Sequence, residues 1–137
     1  EGLIGFCKQN AARLKHLEAS PEVSFCAILL QSLNDQPIAE SDTLLLTTTA
    51  RSATTGMQWT DDRRSLKDWG KPPMRFEIVG GSVHISGLAG AKGLSVQPLD
   101  GVGQPLGDAV AAKADKTGFV VSLEGTPTTW YRVSVQR

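Results

Sequence analysis

The sequence predicts an all-β domain: an antiparallel β-sandwich of the immunoglobulin-like or jelly-roll-like kind, with about seven to nine strands and little helix. Short apolar or alternating segments recur along the chain, and clusters of Gly, Pro, Asn and Asp separate them. In the last segment, residues 128–136, Tyr131, Val133 and Val135 alternate with polar or amphipathic side chains, which is the period of a strand with one buried face. No segment carries a sustained apolar stripe at helical spacing with clear caps.

The strands are predicted in order from these apolar runs and the turn residues between them. The dipeptides Asn34-Asp35 and Asp100-Gly101 favour tight hairpin turns. Helix-forming composition is confined to two segments, Lys8–Ala19 and Leu106–Lys116. The predicted strands lie near residues 3–7, 22–31, 42–50, 74–79, 81–86, 93–99, 117–124 and 128–136, with a weaker one near 108–114.

Length and charge limit the class of protein. We predict that residues 1–137 form a single domain, which is large enough to bury a hydrophobic core without a metal or disulfide scaffold. The 14 Lys and Arg residues balance the 14 Asp and Glu residues, and the two signs are interspersed. A basic surface for nucleic acid or an acidic membrane is therefore not expected. No apolar run approaches the roughly 18 residues that span a bilayer.

The N-terminal residues predict a fragment of a longer protein. The chain has no initiating methionine, and the apolar stretch Gly2–Phe6 resembles a strand that is already under way. We therefore expect an upstream part, which would hold any chemistry. An exposed N-terminal edge strand would also favour pairing with a second copy, giving a homodimer.

The two cysteines, Cys7 and Cys26, both lie beside apolar strand-like segments. The favoured interpretation is a pair of buried free thiols that act as small hydrophobic residues. A disulfide between adjacent strands stays open if the compartment is oxidising. Two cysteines and two scattered histidines do not supply a four-ligand metal site, so we predict neither a metal nor a cofactor.

The sequence contains no recognisable set of catalytic residues. His84 is expected on the solvent face of a strand, and His16 lies in a polar stretch. No serine has a nucleophile-elbow context. The acidic residues near Asp61 alternate with arginines and lysines, which is typical of a solvated surface with ion pairs. We therefore predict that the chain itself is not an enzyme.

The tryptophans are the strongest candidates for contact with a partner. Trp130 is predicted in or near the core, whereas Trp59 and Trp69 lie in a predicted long loop, residues 54–73. Long loops in compact domains are often functional. The favoured role is an interface with a partner, and the alternatives are capping of an open end of the sandwich and stacking on sugar. The candidate contact residues are Arg51, Met57, Trp59, Asp61, Arg64 and Trp69.

A series of short motifs runs through residues 22–86. They are Ser32-Leu33, Pro37-Ile38, Ser41, Leu44–Leu46, Ala50-Arg51, Thr55-Gly56-Met57, Trp59, Arg63 or Arg64, Trp69-Gly70, Pro73 and Glu77. In this order they resemble the C-terminal β-sandwich accessory domain of large bacterial glycoside hydrolases whose catalytic part is a TIM barrel. The pair Ala53-Thr54 departs from that pattern, which often has Glu-Asn there.

The resemblance implies that the catalytic acid and nucleophile lie on an upstream barrel, which this chain is too short to contain. The sandwich would then be a non-catalytic accessory domain that packs on the barrel through residues 51–73. The parent enzyme would be secreted, periplasmic or at the cell surface. Two alternatives remain: a stand-alone module that binds polysaccharide through Trp59 and Trp69, and an immunoglobulin-like structural or adhesion spacer.

Overall fold

The computed structural model describes residues 1–8 and 13–137, and within them it confirms an all-β antiparallel fold. The described residues form 14 strands and no helix, so none of them belongs to a helix long and apolar enough to cross a membrane. The strands are β1 (Gly2–Gly5), β2 (Leu17–Pro21), β3 (Cys26–Ser32), β4 (Thr43–Thr49), β5 (Ser52–Thr55), β6 (Gln58–Trp59), β7 (Leu66–Asp68), β8 (Lys71–Phe76), β9 (Gly81–Ser86), β10 (Gly93–Leu99), β11 (Val110–Ala111), β12 (Lys113–Ala114), β13 (Gly118–Ser122) and β14 (Trp130–Gln136).

Two antiparallel sheets form the sandwich. The larger has six strands in the order β1-β3-β4-β14-β10-β11, and the smaller has four in the order β12-β13-β9-β2. The chain passes from one sheet to the other at Ala112, because β11 pairs with β10 and β12 pairs with β13. The weak strand predicted near residues 108–114 is therefore present as two short pieces, one in each sheet.

The core lies between the sheets and follows from alternation along each strand. In β3 and β4 every second residue is buried, so that Ile28, Leu30, Leu44 and Leu46 point inward. These side chains belong to one cluster with buried residues of the smaller sheet, such as Ile85. Burial of a large aliphatic side chain stabilises the fold by about 1.5–3 kcal/mol, so this cluster is what joins the two layers.

The segment Lys8–Ala19, which has helix-forming composition, contains part of a strand that the sequence did not reveal. β2 pairs with β9 in the smaller sheet, and its residues Leu17 and Ala19 are buried by the same alternation. Residues 9–12 of that segment lie outside the described residues. The strand predicted at 22–31 begins later, at Cys26.

The cysteines are both buried and unbonded, as the favoured interpretation predicted. The Sγ of Cys7 lies 3.9 Å from the backbone oxygen of Cys26. Burial, together with the neighbouring Cys7, raises the pKa of the Cys26 thiol to about 12. A thiol with such a pKa stays protonated at neutral pH and behaves as a small apolar side chain.

Two positions differ from the sequence prediction. Trp130 is not a core residue: it lies on the outer face of the six-stranded sheet, between Leu99 and Thr47, and is 36% exposed. The period-two alternation of β14 places Tyr131 and Val133 inward, which leaves Trp130 outside. His16 is buried, and its Nδ1 lies 2.9 Å from the backbone oxygen of Ser86.

Candidate interaction surface

The segment Arg51–Glu77, called the arm below, connects β4 to β9 and lies outside both sheets of the sandwich. The prediction of a long loop at residues 54–73 is only partly right, because half of these residues lie in the four short strands β5 to β8. β5 pairs with β8, and further out β6 pairs with β7, each antiparallel. These strands are two to six residues long, and bulges shift the register of both pairs. Such short, irregular strands leave little periodicity to detect in the sequence.

The base of the arm is closed by Arg51 and Glu77. The backbone N–H of Glu77 donates to the oxygen of Arg51 at 2.8 Å. The Nε and Nη2 of Arg51 each lie 2.9 Å from a carboxylate oxygen of Glu77, so the pair is bidentate. This hydrogen-bonded pairing raises the pKa of Arg51 and lowers the pKa of Glu77. Two parallel charge-assisted bonds fix the plane of the guanidinium as well as its position.

In the middle of the arm, the backbone at Gly70 lies close to the backbone of Thr55 and Met57. Gly70 has a positive φ of 70°, and a Cβ there would lie 2.5 Å from the oxygen of Thr55 and 2.7 Å from the nitrogen of Met57. The hydroxyl of Thr54 donates to the backbone oxygen of Trp69. The sequence motifs Thr55-Gly56-Met57 and Trp69-Gly70 therefore contact each other, and only glycine fits at the second of them.

The tip of the arm is a tight turn stabilised by side chains. The N–H of Thr60 donates to Ser65 and that of Arg63 donates to Thr60, each at 2.8 Å. Asp62 accepts hydrogen bonds from the Thr60 hydroxyl and the Arg64 N–H, which hold the pKa of its carboxyl below the usual range. Arg63 adopts a positive φ of 54°, which is uncommon for a residue other than glycine.

The inner ribbon of the arm, β5 and β8, has two different faces. Alternation places Met74 and Phe76 on one face, opposite Thr54 and Ser52 of β5. Met74 is 56% exposed and Phe76 is 54% exposed, and every residue of β8 is exposed. This face is called the apolar face. An isolated two-stranded ribbon is marginally stable, and no other layer covers this one within the described residues.

The other feature of the arm is a hollow of about 400 Å³ lined by Arg51, Trp59 and Arg63. Trp59 is 52% exposed, and β6 holds it opposite Leu66 of β7. Among the residues that the structure describes, Arg63 has no carboxylate oxygen within 4.0 Å. The hollow therefore combines an exposed indole with one paired and one unpaired guanidinium.

The six predicted contact residues all lie on the arm, but the structure separates them. Arg51 and Trp59 line the hollow. Asp61, which pairs with Lys67 at 3.0 Å, and Arg64, 4.0 Å from Asp62, are at the exposed tip. Met57 is partly buried beside Gly70, and Trp69 is 75% exposed without lining the hollow.

Three residues of this surface were not among the predicted contacts: Arg63, Met74 and Phe76. The alternation Met74-Arg75-Phe76 is visible in the sequence, but the strand was predicted at 74–79 and lies at 71–76, and nothing in the prediction indicated that both faces of β8 are exposed. Neither tryptophan of the arm caps the sandwich, since Trp59 and Trp69 are both largely exposed.

Outside the arm, His84 and Asp115 form a second polar cluster on the smaller sheet. His84 Nε2 lies 3.2 Å from Asp115 Oδ2. Asp115 also accepts the N–H groups of Thr117 at 2.8 Å and Gly118 at 2.9 Å. The Thr117 N–H, with His84 and Gly118, lowers the pKa of Asp115 to about 2. The cluster stabilises the turn between β12 and β13.

The open edge of the sandwich, where the chain changes sheets, contains a cleft of about 330 Å³. Its walls are mainly apolar and include Val96, Val110 and Val121. Burial, together with the charge of Glu124, raises the pKa of Tyr131, which also lines the cleft. Among the described residues, no group of three or more His, Cys, Asp or Glu side chains is arranged to hold a metal ion.

Comparison with known proteins finds no match among protein-family models, curated proteins or solved structures. Function is therefore inferred from the residues of this chain, above all from the apolar face and the hollow of the arm.

Proposed function

We propose that this domain is a non-catalytic accessory domain of a glycoside hydrolase and that the apolar face of the arm packs on the catalytic domain of the same polypeptide. The observation that carries the proposal is the exposure of Met74 and Phe76 on a two-stranded ribbon that has no covering layer among the described residues. Methionine and aromatic side chains are enriched in the buried centres of protein interfaces. The resemblance to accessory domains is also densest along the arm.

The energetics favour contact by this face. Each of its large side chains would bury apolar surface on docking, at about 25 cal/mol for each Å² removed from water. The ribbon itself would gain the second layer that two-stranded sheets need for stability. The Arg51–Glu77 pair at its base limits the motion of the ribbon, so less conformational entropy is lost on binding.

The first test is to read the encoded sequence upstream of Glu1 and, where it encodes a barrel, to produce that part separately. We expect it to bind this domain in calorimetry, and the double variant Met74→Ser/Phe76→Ser to bind at least about tenfold more weakly. The matched control is Ile4→Ser/Val102→Ser, which removes two exposed apolar side chains outside the arm. Unchanged affinity of the arm variant, or an upstream sequence without a barrel, would reject the proposal.

A second candidate function, binding of polysaccharide by the domain alone, is favoured by the hollow. Aromatic side chains stack on the apolar faces of sugar rings, and Trp59 offers an exposed indole beside two guanidinium donors. The lining of the hollow includes neither Met74 nor Phe76, so the two candidate functions can be tested with separate substitutions. Retention of the domain on any member of a polysaccharide panel in affinity electrophoresis tests this candidate. A structural spacer would show neither docking nor retention.

A further inference from the structure

We infer that the hollow lined by Arg51, Trp59 and Arg63 binds an acidic sugar unit, a pyranose ring that carries a carboxylate or a sulfate ester. The inference rests on the carbohydrate-binding candidate proposed above and names its ligand class. At about 400 Å³ the hollow falls at the lower end of the size range of small-ligand sites. Its three side chains supply the two features that such a ligand needs, a flat apolar platform and a positive charge.

The platform is Trp59. Its backbone is fixed by the pairing of β6 with β7, and its side chain stays 52% exposed. A rigid indole loses little conformational entropy when a ring stacks on it, and its N–H can donate to a hydroxyl.

The positive charge of the hollow comes mainly from Arg63, because the charge of Arg51 is offset by Glu77. Arg51 already gives its Nε and one Nη2 donor to Glu77, which leaves three of its five N–H donors for a ligand. Because Glu77 offsets one positive charge, the hollow has a net charge of about +1, which Arg63 supplies. Arg63 has no carboxylate within 4.0 Å among the described residues, so an anion there would not have to displace a partner.

Charge over the rest of the chain favours an acidic sugar over nucleic acid. The chain has equal numbers of basic and acidic residues, and the arm tip pairs Lys67 with Asp61 and Arg64 with Asp62. A nucleic-acid surface needs a basic stripe that follows several phosphates. One local positive charge beside one aromatic platform suits a single charged ring.

The test uses affinity electrophoresis and calorimetry of the 137-residue domain with polygalacturonate as the carboxylate probe and dextran sulfate as the sulfate probe. Dextran and pullulan, which carry no charged groups, are the uncharged controls. We expect retention on one or both acidic polymers, weaker binding as salt rises, and no retention on the neutral ones. Retention on one acidic polymer alone identifies the charged group that the hollow takes.

Matched variants locate the site. Trp59→Ala and Arg63→Asn should each weaken binding by about tenfold or more. Asparagine is chosen because it tolerates the positive φ of residue 63. Trp69→Ala and Arg64→Asn remove the same side-chain types within six residues of Arg63 but outside the hollow, and they should change binding less than about twofold.

Each other outcome overturns the inference. Equal losses in Arg64→Asn and Arg63→Asn would show a diffuse charge effect. Binding to neutral polymers alone would leave the carbohydrate-binding candidate standing and reject the acidic ligand. No binding to any polymer would reject both, while docking through the apolar face would still be decided by the variants of Met74 and Phe76.

Discussion

The sandwich and the arm are both antiparallel β structure, but different forces hold them. In the sandwich, each central strand buries every second side chain, as β4 does with Leu44 and Leu46. In the arm, all six residues of β8 are exposed on both faces of the ribbon. The arm keeps its shape through backbone pairing, the close approach at Gly70 and the Arg51–Glu77 ion pair.

This difference separates side chains that maintain the fold from those that are free for contact. Met74 and Phe76 contribute less to the stability of the isolated domain than core residues do, because more than half of their surface stays in water after folding. Their exposure is also a cost, since apolar patches invite association. The proposed docking would remove that cost, because it would cover both side chains.

The largest expected effect is on the free energy of unfolding. Truncation of a core residue should lower it much more than truncation of an exposed residue of the arm. Leu46→Ala should lower the free energy of unfolding by about 3 kcal/mol, because it leaves a cavity between the sheets. Phe76→Ala, which removes a larger side chain that is more than half exposed, should lower it by only about 1 kcal/mol. Urea denaturation of each variant measures both values.

Leu45→Ala is the control for the first prediction, since Leu45 lies on the outer face of the same strand and is only partly buried. Leu45→Ala should lower the free energy of unfolding by more than Phe76→Ala does and by less than Leu46→Ala does. If Phe76→Ala cost as much as Leu46→Ala, the arm would be part of the folding core, and the contrast between the two regions would be wrong.

The second prediction concerns the arm alone. Gly70→Ala should open the arm, because its Cβ would overlap the backbone of Thr55 and Met57 and its φ of 70° adds strain. The local cost should be at least about 2 kcal/mol, with a smaller change in global unfolding. Hydrogen exchange of the Met57 amide, which donates to Thr54 at 3.1 Å, should accelerate at least about tenfold.

Gly56→Ala is the matched control for that substitution. Gly56 has a similar φ of 79°, but a Cβ there would meet nothing within 4 Å. It should cost only the strain of the left-handed conformation, about 1 kcal/mol. Equal exchange rates in the two variants would show that strain, and not the close approach, is what requires glycine at residue 70.

The same contrast explains which parts of the structure the sequence predicted. The strands predicted at 42–50, 81–86, 93–99 and 128–136 match β4, β9, β10 and β14 closely, because burial between two sheets imposes a pattern on their residues. Residues 54–73 of the arm were predicted as a loop, because their strands are short and exposed and therefore carry no pattern of burial.

The candidate site was predicted only in part, for the same reason. Trp59 and Arg51 could be selected by residue type, because large aromatic and planar cationic side chains are common in binding sites. Their proximity to Arg63 depends on the register of short pairs that bulges displace, which no local pattern encodes. The buried position of His16 depends likewise on a distant partner, Ser86.

The third prediction is a core substitution that should stabilise the domain instead of destabilising it. The hydroxyl of Thr48 is buried and has no hydrogen-bond partner among the described residues. Thr48→Val replaces it with a methyl group of nearly the same shape and should raise the free energy of unfolding by about 1 kcal/mol. Urea denaturation measures the gain. Thr47→Val, at the partly exposed neighbour on the outer face, should give less, and a loss of stability at residue 48 would contradict the prediction.

The smallest expected effect is on the stability of the domain at low pH. A turn of the sandwich that contains Asp115 should contribute to it, and a turn of the arm that contains Asp62 should not. The folded pKa of Asp115 is lowered to about 2 by the Thr117 N–H, His84 and Gly118, so the carboxylate stabilises the sandwich above its unfolded pKa of about 4. That contribution is lost as pH falls from about 4 through 2. Unfolding of Asp115→Asn should therefore depend less on pH in this range than unfolding of the parent.

Asp62 stabilises the arm tip in the same way, because the Thr60 hydroxyl and the Arg64 N–H lower its pKa. Its contribution is also lost on acidification, but the turn lies outside the two sheets. Asp62→Asn should therefore leave the pH dependence of global unfolding unchanged and alter only hydrogen exchange near the Arg64 amide. If it changed global unfolding as Asp115→Asn does, the arm and the sandwich would unfold as one cooperative unit, and the arm could not be treated as a separate element kept for contact.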